Sequence, residues 1–154
     1  MYLTLMTRNP ASIETSELRK RLRHAIEERR KATAARREKL NAASAAFTEL
    51  LEVTATPLVQ MLANALRAEG HNFTVFTPNG GLRMSLAKSA DDYIEFALDT
   101  EQDEPFALLR VNRTRGRRVV QHERRIKGRT PVERLSEEDV LQALLDEIAP
   151  FVER

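Results

Sequence analysis

Between Ile13 and Val53 the chain contains neither glycine nor proline. A run of that length, rich in alanine, arginine and glutamate, has one conformation that satisfies its backbone groups locally, a long α-helix. Asn9-Pro10 ahead of it supplies a cap and a proline at the first helical position, and Glu14 and Glu17 fall where the helix dipole favours acids. About 40 helical residues rise roughly 60 Å, more than the width expected of one domain of this size. The first half, 13–38, is therefore expected as an arm or as a surface packed on a second subunit. The second half, 40–53, carries enough large apolar groups to join a core.

A heptad frame through Leu22, Ile26, Arg29, Thr33, Arg36, Leu40, Ala43, Phe47, Leu50 and Thr54 is apolar at both ends and polar in the middle. Charge pairs such as Glu27 or Glu28 with Lys31 add only a few tenths of a kcal/mol each. A solitary helix of this length is marginal on such terms. Leu18, Leu22 and Ile26 are thus the candidate self-association residues, and a homodimer is the expected assembly.

Thr56-Pro57 reads as a second cap, with Pro57 either kinking one helix or separating two. Leu58, Met61, Leu62, Ala65 and Leu66 then recur at helical spacing until Gly70. Beyond Gly70 the period changes from 3.6 to 2. Strand-like runs cover Phe73–Thr77, Leu82–Leu86, Tyr93–Leu98, Phe106–Arg113 and Arg117–Ile126, separated by short polar connections. Connections that short imply antiparallel neighbours. Ser136 with Asp139 marks a capping box for a last helix whose stripe is Val140, Leu141, Leu144, Leu145 and Ile148, stopped by Pro150. The expected class is α+β: a long helical region, a five-stranded antiparallel meander and a C-terminal helix packed on it. The expected organisation is a flexible leader over 1–9, a helical arm over 10–39 and a single domain over 40–154. The expected cover for the sheet is Leu40, Phe47, Leu50, Leu51, Leu58, Met61, Leu62 and Leu66 with Leu144, Leu145 and Ile148.

The chain of 154 residues has no cysteine, which removes disulfides, thiolate metal sites and cysteine nucleophiles together. No stretch approaches the roughly 20 apolar residues of a membrane span, and Met1–Met6 is too short and polar for a signal core. A cytoplasmic location without membrane contact is the resulting expectation. His24, His71 and His122 lack the spacing of a metal site. His122 is expected as a half-buried strand residue beside Val120. Asp99, Glu101 and Asp103 imitate a calcium loop, but Glu104 stands where glycine is needed and Arg110 where a bidentate acid is needed. Asp91 and Asp92 would point to opposite faces of a strand, so they form no acid–base pair. No nucleophile elbow, phosphate loop or dinucleotide fingerprint is present. No cofactor and no enzymatic activity are expected.

Net charge is +2, but it is arranged in blocks. Residues 1–46 carry +6, 47–109 carry −7, 110–129 carry +8 and 130–154 carry −5. The third block holds Arg110, Arg113, Arg115, Arg117, Arg118, Arg124, Arg125, Lys127 and Arg129. On a tight hairpin Arg113 would face Arg118, with Arg115 and Arg117 at the tip, and opposed like charges need a compensator. Three compensators fit: a polyanion, acids of the 47–109 block or of a partner chain, or solvent around a charge-protected edge strand. The reading favoured is a non-enzymatic, self-associating binding domain. The alternative is a nucleic-acid-binding accessory protein that uses the Arg110–Arg129 ribbon. Against it, residues 107–150 contain no aromatic side chain on which bases could stack.

Overall fold

The computed structural model describes residues 12–153, and the chain divides into two units, residues 1–38 and 39–154. The expected leader and the Asn9-Pro10 cap lie outside the described residues. Helix α1 (Thr15–Glu49) runs without interruption through the glycine-free segment. Every residue from 12 to 39 is exposed.

At Leu50–Ala55 the helix widens into a single π-helical turn and continues as α2 (Thr56–Ala68). Thr56 therefore caps nothing. It is helical itself, at φ −62° and ψ −49°, and its N–H donates to the Leu51 carbonyl five residues back. Pro57 explains the widening, because it has no N–H to give and its ring would meet the carbonyl of the preceding turn. The extra residue in the turn also rotates the apolar stripe. Ala55, Leu58, Val59 and Ala63 are buried, with Leu62 and Leu66 half-buried beside them. Met61, expected in the core, is 68% exposed, because at about 100° per residue it sits on the far side of that stripe.

The sheet is a meander of β1 (Phe73–Phe76), β2 (Leu82–Leu86), β3 (Ser89–Asp99), β4 (Phe106–Arg115) and β5 (Arg118–Arg125), all neighbours antiparallel and in chain order. The α+β architecture is the one the sequence periods imply. Register places Met84 opposite Ile94 and Ile94 opposite Val111, and Leu82 opposite Phe96 and Phe96 opposite Leu109. These residues share the inner face and are all buried.

Helix α3 (Glu137–Val152) begins with the expected box. Asp139 N–H donates to Ser136 Oγ at 3.1 Å, and Ser136 N–H donates to Asp139 Oδ2 at 3.0 Å. Val140, Ala143, Leu144 and Ile148 are buried in the same core as the inner sheet face. Phe151 meets Phe73 edge-on, with ring centroids 6.2 Å apart. Leu145, expected in this stripe, is 42% exposed. Pro150 does not stop the helix, which ends at Val152. In a last turn its fixed φ suits the helix and its missing N–H forfeits one bond.

The second face of the sheet carries a charge ladder across four strands. Arg83 lies opposite Glu95, Glu95 opposite Arg110, and Arg110 opposite Glu123. Arg83 Nη2 donates to Glu95 Oε2 at 2.8 Å, and Arg110 Nε donates to Glu123 Oε2. Arg83 also stacks its guanidinium 3.9 Å above the Tyr93 ring.

Candidate functional site

The nine basic residues of 110–129 do not form one patch, because four of them are engaged internally. Glu123 takes Arg110 and, with Glu95, raises its pKa further against the opposing effect of burial. Arg124 Nη1 donates to Asp146 Oδ2 of α3 at 3.1 Å, while its Nε and Nη2 donate to the Arg125 and Ile126 carbonyls. Arg125 lies 4.0 Å over the Phe106 ring. Lys127 Nζ is 3.0 Å from Asp139 Oδ1. The Ser136 N–H and Lys127 together hold the Asp139 carboxyl below its ordinary range. The C-terminal acidic block thus meets Arg124 and Lys127, where the 47–109 block is the expected source of acid, because α3 and not the acidic β3–β4 connection lies beside β5.

His122 belongs to the same seam, its Nε2 2.7 Å from Glu147 Oε2. It is exposed rather than half-buried. The expectation fails because β5 is the last strand of the sheet and α3 leaves room beside it for the His122–Glu147 pair.

The turn at the tip differs from the expected register by two residues. Arg115 faces Arg118, and Arg113 faces Val120. Gly116 and Arg117 form the two-residue connection, with Gly116 at φ +64°. Glycine with positive φ at the first central position is the II′ pattern that matches strand twist. We expect Gly116→Ala to cost roughly 1–2 kcal/mol, read as a lower urea midpoint. A Cβ there meets no atom within 4 Å, so any loss reports the backbone conformation alone.

Arg115, Arg117 and Arg118 are exposed at this tip. Arg129 is exposed in the loop before α3. Among the described residues the side chains of these four have no hydrogen-bond or ion-pair partner. Arg113 is half-buried, and its charge bears on Asp92.

The helical candidates lie elsewhere. Leu18 and Leu22 are each 57% exposed and Ile26 is 44% exposed, on one side of α1. A depression of about 650 Å³ continues from Ile26 past Arg29, Thr33 and Arg37. One helix alone lines it, so it is an open furrow and not an enclosed pocket. A smaller groove of about 390 Å³ lies between α2 and β1, lined by Gln60, Asn64, Arg67 and Phe73–Val75. Among the described residues no group of three or more metal-ligating side chains is gathered, and no helix is long and apolar enough to cross a membrane. Comparison of the chain with protein-family models, with curated proteins and with solved structures finds no match.

The charge blocks were readable in the sequence, but their pairing was not. Arg124 with Asp146 and Lys127 with Asp139 depend on how α3 crosses β5, which no local pattern encodes. The Asp92–Thr114 and Asn112–Asp91 contacts depend instead on the register between β3 and β4, which the sequence pattern does not fix.

Proposed function

We propose that the protein is a non-enzymatic binding module, working in the cytoplasm, that self-associates as a homodimer through the stripe Leu18, Leu22 and Ile26 of α1. The observation that carries this reading is the exposure of an entire helical segment, residues 12–39, with those three large apolar side chains on one side of it. A helix so exposed draws no support from core burial, and its internal charge pairs, Arg21 with Glu17 and Lys31 with Glu28, are open to solvent. Pairing with the same helix of a second copy shelters the stripe and follows the two-fold symmetry usual for homo-oligomers.

Full burial of a leucine or isoleucine is worth about 1.5–3 kcal/mol, and each 1.4 kcal/mol is a factor of ten in association. Leu22→Ala with Ile26→Ala removes two such groups from each chain. The double variant should sediment as a monomer at concentrations where the unaltered chain is a dimer. A monomeric unaltered chain at high concentration, or an unchanged mass for the variant, refutes the reading.

A further inference from the structure

We infer that the outer edge of β5 accepts an acidic, extended peptide segment of a partner protein as a sixth strand. The surface is separate from the helical stripe, and the proposal does not depend on self-association.

The edge is defined by hydrogen-bond alternation. Ile126 N–H donates to the Ala107 carbonyl at 3.1 Å. In an antiparallel ladder the residues that bond inward recur every second position. Arg118, Val120, His122 and Arg124 therefore bond toward β4. Val119, Gln121, Glu123 and Arg125 turn their N–H groups and carbonyls outward. β5 has one neighbour in the sheet, and residues 118–123 are exposed. Arg124 Nε already occupies the Arg125 carbonyl. Val119, Gln121 and Glu123 thus offer three donors and three acceptors in strand register.

The side chains along the edge select the occupant. Val119 and Val120 are 59% and 39% exposed, one on each face of the strand. Beside them stand Arg115, Arg117 and Arg118, which lack any acid of their own among the described residues. Such an edge repels a second copy of itself, since like charges opposed across strands are unfavourable. The same charges attract a strand that places carboxylates by the turn and apolar side chains beside the valines. A nucleic acid fits less well. Phosphates accept hydrogen bonds but cannot donate to the outward carbonyls, and Glu123 and Glu147 interrupt the positive field.

The test uses the full chain, isotopically labelled, and a synthetic acetylated octapeptide of three glutamates followed by alternating valine and threonine. Two comparison probes are the same peptide N-methylated at alternate residues and a random 20-base-pair duplex. Without peptide, the amides of Val119, Gln121 and Glu123 should exchange with solvent quickly and those of Val120 and His122 slowly. The octapeptide should slow the first set. N-methylation should abolish this, and Arg117→Glu with Arg118→Glu should weaken binding about tenfold or more. Slow exchange retained at Val120 and His122 shows that the variant hairpin is intact. The proposal is overturned if the octapeptide leaves the three amides unprotected, if the N-methylated peptide binds as well, or if the duplex protects this edge and the peptide does not.

Discussion

Truncating Leu144 to alanine should lower the stability of the sheet-bearing unit by about 2–5 kcal/mol, whereas truncating its neighbour Leu145 should change it by no more than about 0.5 kcal/mol. Leu144 is 0% exposed and belongs to the core shared with the inner sheet face. Removing its branched end takes away transfer energy and leaves a void between helix and sheet that close-packed neighbours fill only in part. Leu145 is 42% exposed, so alanine there gives up little buried surface. For a domain of this size each kcal/mol moves the melting temperature by roughly 2–4 °C, so the pair should separate by roughly 3–20 °C in a thermal scan. Equal losses at the two positions would mean that α3 turns a different face to the sheet.

The same contrast separates what residue spacing encodes from what packing decides. The stripe through Val140, Leu144 and Ile148 was evident from spacing, and so was the capping box at Ser136. Leu145 was assigned to the core because apolar identity marks a candidate without measuring burial. The first three strands followed from their period of two, with Met84 and Ile94 on the inner face alternating with polar residues, and the last two from strand-like runs joined by a short turn. Register did not follow. A hairpin through Thr114-Arg115-Gly116-Arg117 closes with either of two pairings, and the positive φ of Gly116 decides between them. The π-helical turn at Leu50–Ala55 was hidden for a different reason. Thr-Pro is a strong cap signal in isolation, and only the packing of α1 and α2 as one helical run overrides it. After Pro57 the expected cover is correct at Leu58, Leu62 and Leu66 and fails at Met61 alone, which lies beyond the outer margin of a face whose centre is set by Ala55, Val59 and Ala63.

The basic run was the strongest functional signal in the chain, and the structure divides it by physical environment. Arg110, Arg124, Arg125 and Lys127 have acids or an aromatic ring to hold them, so charge density there supports the fold. Arg115, Arg117 and Arg118 do not. A cluster of exposed arginines on a hairpin tip gives the fold nothing that local packing requires, which is why the proposed strand partner is placed beside it.

Replacing Asp92 should both weaken the fold and flatten its response to acid. The backbone ladder between β3 and β4 ends at Tyr93 opposite Asn112, and side chains continue it. Asn112 Nδ2 donates to the Asp91 carbonyl. Asp92 Oδ1 accepts from the Thr114 N–H at 2.6 Å, and its Oδ2 accepts from the Thr114 hydroxyl at 2.8 Å. Asp92 itself is 7% exposed. Burial alone would raise its pKa, but the bonds from Thr114 and Ser89 and the nearby charge of Arg113 outweigh it and hold the carboxyl below its ordinary value. A lowered folded-state pKa means that the ionised group stabilises the fold fully above the unfolded value, about 3.9, and that this contribution is lost as pH falls through the folded value. Asp92→Ala should cost about 2–3 kcal/mol near neutral pH, the scale of hydrogen bonds to a charged acceptor. Asp92→Asn keeps the shape and removes the titration. Its deficit against the unaltered chain, read from urea midpoints, should be largest near pH 6 and shrink steadily below about pH 4. Asp139, whose pKa is lowered as well, titrates in both proteins and cancels in the comparison. A deficit that stays constant from pH 6 into the acid limb would show that Asp92 acts through its shape and not its charge.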